Sequence, residues 1–307
     1  MRCISRDNGS ATMLTMLMAA VIVTVGVGFN WLVKEHMKAS EGLRNKAEAI
    51  LKARSVYDTL IYLILNGQVL PREIVPAAGS EISELKRLPL DGKKVPLSDD
   101  IYVQAQDSNG VLSLVSMNTP AMERLVKRLT RLENPSDIIE SYLDWIDVDN
   151  FARVNGAEEF YYRGQGLPYI PRNYPIQYKD EFELIKGVGK ELYSKIEPYL
   201  TMLPSTGFNP NTASDEVLMA YLDINEESLK VLKDYMSKKT VTSDMELFAL
   251  TGRRIASKEE GIYFFPSPFI EVTVSAGRPR SIYTIRAGLD TRQNISSPYG
   301  VMYWREE

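Results

Sequence analysis

With 307 residues, 44% of them hydrophobic, the chain is long enough to bury a sizeable core and to hold more than one domain. Its formal charge of −4 and pI near 5.4 run against the basic surplus with which nucleic-acid binders neutralise phosphates. Cys3 and His36 are the single cysteine and the single histidine, which excludes an intrachain disulfide, a Cys/His zinc site and almost all histidine-based catalysis.

In chain order, a polar leader "MRCISRDNG" precedes "ATMLTMLMAAVIVTVGVGFNWLV", an uncharged run from Ala11 to Val33. As a helix this run would rise about 34 Å, enough for the hydrocarbon core of a bilayer. It is too long for an ordinary signal-peptide core, and no small-x-small cleavage motif closes it. Arg2 and Arg6 before the run, against Lys34, Glu35 and Lys38 after it, give a weak bias toward a cytoplasmic N-terminus, with the bulk of the chain outside the cytoplasm. Beyond Val33, Ala47, Ile50, Leu51, Val56, Leu60, Ile61 and Leu65 recur at helical spacing with no proline until Pro71. The spacing predicts one helix of more than fifty residues, half apolar throughout and half amphipathic.

A short leader ending in glycine ahead of a long apolar helix resembles a type IV pilin or pseudopilin precursor. The resemblance implies cleavage by prepilin peptidase between Gly9 and Ser10, followed by methylation. Most such proteins carry glutamate at mature position five, where this chain has Leu14.

After the helix, "IYVQAQ" (101–106) and "VLSLVSM" (111–117) flank "DSNG" and predict a β-hairpin. Near the C-terminus, "PFIEVTVSAG" and "RSIYTIRAGLD" predict a second strand pair around "GRP", and "VMYW" an added edge strand. Between them, residues 118–260 are helix-rich. "PAMERLVKRL", "SDIIESYLDWI", "DEVLMAYL" and "EESLKVLKDYM" all place apolar residues at i, i+3 and i+4. Thr212 with Asp215 reads as a capping box, and Asn134-Pro135-Ser136 as a helix start. The expected fold is α+β: a long N-terminal helix packed on an antiparallel sheet, as in pilins, with a large α-helical insert of SAM-like or helix-hairpin-helix-like character. The divisions are a leader (1–9), a transmembrane segment (10–33), a first αβ part (34–117), the insert (118–260) and a second β part (261–307).

"DWIDVDNFARVNGAEEFYY" (144–162) concentrates Asp144, Asp147, Asp149, Glu158 and Glu159. Asp147, Asp149 and Glu158 fall at relative positions 1, 3 and 12, a spacing that can wrap a loop around a hard cation with a distal glutamate closing the shell. Phe151 or Arg153 would add backbone carbonyls and Asn155 a side-chain oxygen. Ala152 at position 6, instead of glycine, rules out an EF-hand. A solvated acidic loop between helices satisfies the same pattern. A catalytic carboxylate pair needs two acids across a cleft, and these are clustered on one loop.

"LIKGVGKELYSKI" (184–196) reads as a helix-hairpin-helix, whose turn N–H groups can hold a phosphate with Lys186, Lys190 and Lys195 beside it. Against this, residues 118–260 contain 24 acids and 18 bases, a field that repels a phosphate backbone. A glycine turn serves tight helix packing equally well.

Taken through to Asn173, the acidic stretch resembles the signature of the protein K minor pseudopilins of type II secretion. Asp144, Trp145, Asp147, Asp149, Gly156, Ala157, Glu158, Tyr161, Pro168, Tyr169 and Asn173 match it, and "FELIKGVG" and "FNPNTASDEVLMAYL" follow as in that family. The resemblance implies a non-enzymatic subunit of the bacterial inner membrane, spanning it once with its bulk in the periplasm. It implies a structural Ca2+ held by Asp147, Asp149, Glu158 and one of Glu159 or Asp144. Its implied partners are the I- and J-type minor pseudopilins, the major pseudopilin and prepilin peptidase, with no nucleic acid. In pilins the position-five glutamate pairs with a neighbour's N-terminus, so Leu14 suits a subunit with no neighbour above it. Two other classes fit parts of the pattern: a minor pilin of a type IV pilus or competence system, and a membrane-anchored nucleic-acid binder.

Overall fold

The computed structural model describes residues 8–77, 85–130, 132, 134–253, 261–279, 281–293 and 296–307. Helix α1 runs unbroken from Asn8 to Asn66, about 88 Å long by the α-helical rise. The expected cleavage point at Gly9 and Ser10 lies in its first turn, and the rest of the expected leader, residues 1–7, is outside the described residues. Large side chains from Met13 to Val33 are exposed, and the helix is long and apolar enough to cross a membrane. The C-terminal half carries a buried stripe, Ala49, Ala53, Tyr57, Leu60 and Ile64, at the spacing that puts side chains on one helix face.

That stripe covers a five-stranded antiparallel sheet in the order β10-β9-β8-β5-β4. Its strands are β4 (Val95–Ser98), β5 (Ile101–Asp107), β8 (Phe269–Ala276), β9 (Tyr283–Asp290) and β10 (Gly300–Glu306). Val103 and Ala105 of β5, Val272 and Val274 of β8, and Ile285 and Ala287 of β9 alternate inward to meet α1. Ala49 and Ala53 keep the helix close. Gly277, with φ of +117°, lies where a Cβ would come within 2.9 Å of the Ala49 methyl. Short strands β1 (Gln68–Val69), β2 (Glu73–Val75) and β3 (Leu88–Pro89) form a small separate sheet.

The C-terminal strand pair forms as expected, with β8 and β9 in continuous register and β10 as an edge. The expected hairpin at 101–117 does not. After β5 the chain enters a 3-10 turn at Ser108–Gly110, and β6 (Leu112–Ser113) pairs in parallel with β7 (Leu200–Thr201) instead of with β5. Both edges of β5 are already taken, by β4 and β8. The Asp107 carboxylate fixes the exit by accepting the Asn109 N–H at 3.0 Å.

Between β6 and β8 lies the helical insert, whose helices form two packed groups. Helices α2 (Thr119–Thr130), α3 (Ser136–Ile146), α4 (Glu159–Gly164) and α5 (Gly189–Ile196) close around Tyr142, Trp145, Tyr162 and Phe182. Helices α6 (Asp215–Leu222), α7 (Glu226–Lys238) and α8 (Asp244–Thr251) close around Phe208, Leu218, Leu232 and Leu247. The cap of α6 is Ser214, which accepts the Val217 N–H, not Thr212 as the sequence suggests. The Thr212 hydroxyl instead donates to Asp107 at 2.8 Å. Carbonyls at the C-terminal end of α6, which have no partner within the helix, are met by Arg124 from α2 and by Arg253.

Asp107 is where the insert joins the sheet. Its fully buried carboxylate accepts the Ser267 N–H at 2.8 Å and the Asn109 N–H at 3.0 Å on one oxygen. The other oxygen takes Asn209 Nδ2 at 3.1 Å and the Thr212 hydroxyl. Burial pushes this carboxyl above its usual range, because four neutral donors replace water without supplying a positive charge. Asp107→Ala would leave these donors without an acceptor, and chemical denaturation should show a loss of about 3–5 kcal/mol.

Candidate metal centre

The acidic loop begins where α3 ends. Trp145 and Tyr142 face inward from its last turn or so, and Trp145 meets the Tyr162 ring edge-on at 5.4 Å and the Tyr169 ring at 6.2 Å. Trp145 Nε1 donates to Glu181 Oε1 at 2.8 Å, and Arg172 pairs with the same oxygen. Burial raises the Glu181 carboxyl, but Arg172, Trp145 and the Gln177 N–H outweigh it and hold the group below its ordinary value. Asn173, in the left-handed region at φ 52°, donates its N–H to the Trp145 carbonyl and its Nδ2 to the Asp149 carbonyl, each at 3.0 Å. The aromatic base and Asn173 thus pin both flanks of the loop.

Within it, carboxylate oxygens of Asp147, Asp149 and Glu158 all lie within 4.8 Å of one another. Asp147 caps α3, its N–H donating to the Leu143 carbonyl. Asp149 is exposed and accepts the Phe151 N–H at 2.9 Å, a local Asx turn. Glu158 precedes α4, is only 4% exposed, and has no hydrogen-bond partner on either carboxylate oxygen; Asp147 Oδ1 is likewise buried without one. Buried carboxylate oxygens normally have partners, and three orphans around one point are an arrangement that a cation would satisfy. Burial pushes the Glu158 carboxyl up to about 7, with Asp144, Asp147 and Asp149 adding repulsion.

Of the five acids singled out in the sequence, the other two are engaged elsewhere. Glu159 lies in the first turn of α4 and pairs with Arg163 at 2.5 Å. Asp144 is fully buried and is bound by Arg153, through its backbone N–H at 3.1 Å and through Nη1 at 2.5 Å. The same Nη1 lies 2.5 Å from Asp147 Oδ2. Gly156 makes room for this pairing, since a Cβ there would fall 1.9 Å from Asp144 Oδ2. Asn155 is held through its N–H and Nδ2 by Glu140. Sequence spacing gave no sign of the Arg153 side chain or of Glu140, because both act through loop geometry and not through a helical or strand period.

Lys186, a candidate phosphate ligand in the sequence, donates to the carbonyls of Asn155 at 3.0 Å and Gly156 at 3.1 Å, 5.1 Å above the Tyr161 ring. Lys195 pairs with Glu191 at 2.8 Å. Gly187 and Gly189 both have positive φ, and a Cβ on Gly187 would meet Ile138 Cγ1 at 3.1 Å. The turn therefore packs against α3 and clamps the acidic loop.

In chelator, Glu158 binds a proton more tightly in the folded than in the unfolded chain. Its contribution is complete below about pH 4.5 and disappears as pH rises toward about 7. Wild-type melting temperature in chelator should fall across that window, and Glu158→Gln should flatten the fall and melt higher than wild type at pH 8.

Comparison with known proteins shows what these features are similar to. Residues 103–205, which include the acidic loop, match the family described as Type II secretion system (T2SS), protein K. The type II secretion system protein K of Pectobacterium carotovorum subsp. carotovorum is 25% identical over 255 residues, covering 76% of each chain. The putative type II secretion system protein K of Escherichia coli strain K12 is 33% identical over 96 residues, 30% of this chain and 29% of that one. A chain of the crystal structure of the GspK-GspI-GspJ complex from the enterotoxigenic E. coli type 2 secretion system has the same fold. It superposes with a TM-score of 0.57 at 17% identity, over 90% of this chain and 99% of its own. With the 144–173 signature, the long helix on an antiparallel sheet and the helical insert all in place, the chain is similar to type II secretion system protein K over most of its length.

Proposed function

We propose that this chain caps the tip of a type II secretion pseudopilus and that its acidic loop holds a structural calcium ion. The observation that carries the ion is Glu158, with two buried, unpartnered carboxylate oxygens facing Asp147 and Asp149. The donor set is all hard oxygen, which suits Ca2+ and not a soft or borderline metal. Asp147, Asp149 and Glu158 would hold the ion, and its charge would replace the repulsion among them. Asp147 keeps Oδ1 open although Oδ2 pairs with Arg153, whereas Glu159, paired with Arg163, and Asp144, held by the N–H and Nη1 of Arg153, would stay outside the ligand set.

The position at the tip rests on α1 and the insert. The uncovered apolar side chains of residues 13–33 need lipid before assembly and neighbouring helices after it. Ala19, Ala20, Gly26 and Gly28 permit close helix approach there. Leu14 is exposed on that helix and spares the subunit a buried carboxylate that would need a partner. The insert, fixed to the sheet through Asp107, adds bulk that obstructs another subunit from stacking above. The subunit would sit in the inner membrane with its bulk in the periplasm until assembly. Its companions would be the I- and J-type minor pseudopilins, as in the complex named above, followed by the major pseudopilin. Prepilin peptidase would release it at Gly9 and Ser10.

The full chain in detergent should melt about 5–10 °C higher with calcium at a hundredfold excess over its dissociation constant than with chelator. Asp149→Ala and Glu158→Ala should each bring the two curves together. Superimposable wild-type curves would remove the ion from the reading. Deletion of residues 118–260 should impair pseudopilus initiation, and normal initiation by that deletion, scored by electron microscopy of assembled fibres, would contradict the cap.

A further inference from the structure

Resting on the calcium reading, we infer that Arg153 is the resident cation of the acidic loop, holding it folded without the ion and limiting how tightly the ion binds. Four carboxylates, Asp144, Asp147, Asp149 and Glu158, crowd the loop, and Asp144 is fully buried. A buried carboxylate persists only with a partner. Arg153 grips Asp144 twice, with its backbone N–H and with Nη1, and the same Nη1 bridges to Asp147. One nitrogen shared by two carboxylates does what a bound cation does: it cancels their repulsion and fixes their spacing.

The bridge divides Asp147. Oδ2 belongs to Arg153, while Oδ1 is left unpartnered beside Glu158. The guanidinium is thereby a fixed positive charge next to the place where a second positive charge would bind. It cannot titrate away at any physiological pH. In the ion-free chain the guanidinium is the only cation bridging these carboxylates among the described residues, and its loss exposes the full repulsion. In the ion-bound chain the ion takes over part of that work, so the same loss costs less. By the closed cycle linking folding and binding, removing Arg153 lowers stability most without calcium and raises calcium affinity.

Thermal melting and calorimetric calcium titration of the full chain in detergent test this. Arg153→Met should melt roughly 5–10 °C lower than wild type in chelator. Its calcium-induced rise should exceed that of wild type, and its calcium dissociation constant should fall by at least about threefold. Arg153→Lys keeps the charge but loses the planar fork, so it should restore the wild-type calcium rise while recovering only part of the chelator stability. An equal drop for Arg153→Met with and without calcium would reduce Arg153 to a packing residue and overturn the inference, as would no drop in chelator or an unchanged dissociation constant. A wild type unmoved by calcium would end the ion reading and the affinity half of the inference. A chelator drop in Arg153→Met, reversed in part by Arg153→Lys, would still support the latch.

Discussion

The pairing of β5 with β8 is the contact on which the architecture depends. Seven consecutive residues of β5, from Ile101 to Asp107, face β8 from Ala276 back to Ile270, with the whole insert between them in sequence. Closing so long a loop costs chain entropy that a sheet edge alone would recover slowly. The cost is offset where the strands meet α1, through Val103, Ala105, Val272 and Val274, and where Asp107 gathers donors from Ser267, Asn209 and Thr212. One buried carboxylate thus holds the exit from β5, the insert and the approach to β8 together.

The same physical theme governs the acidic loop, with the opposite outcome. Asp107 has every lone-pair direction it needs filled by neutral donors. Glu158 has none, although it too is buried. The difference separates a carboxylate satisfied within the fold from one that the fold leaves open. Around Glu158 the supports are unusually complete: Trp145 and its ring partners below, Asn173 on one flank, Lys186 on the other, and Arg153 inside. Each of these removes freedom from the loop, so a cation bound there would meet a lower ordering cost.

These two regions serve a subunit whose N-terminal helix leaves a membrane-length apolar surface uncovered. The sheet and the insert together form the head carried by that helix. The insert contributes the part of the head that differs from a bare helix-on-sheet scaffold, and the pinned loop gives that insert a fixed surface.

Much of this was legible in the chain itself. The unbroken helical period after Val33, the absence of proline before Pro71 and the alternation in β8 and β9 are local properties, and the elements they predict are present. The 144–173 residues also announced themselves, because the acidic loop, its aromatic base and its flanking asparagine are contiguous in sequence. The 101–117 hairpin misled because Asn109 and Gly110 have the local chemistry of a turn, whereas strand partnership is settled by which edge is free, and β5 has none. Thr212 misled as a cap because a distant carboxylate competes for its hydroxyl. By itself, then, the sequence determined the long helix, the strand alternation and the set of acids gathered on one loop. The tertiary structure alone decided that Glu158 is buried without a partner, that Asp144 belongs to Arg153, and that Asp107 welds the insert to the sheet. Those outcomes follow from desolvation and from the directions in which side chains meet, and neither exists until separate parts of the chain have packed together.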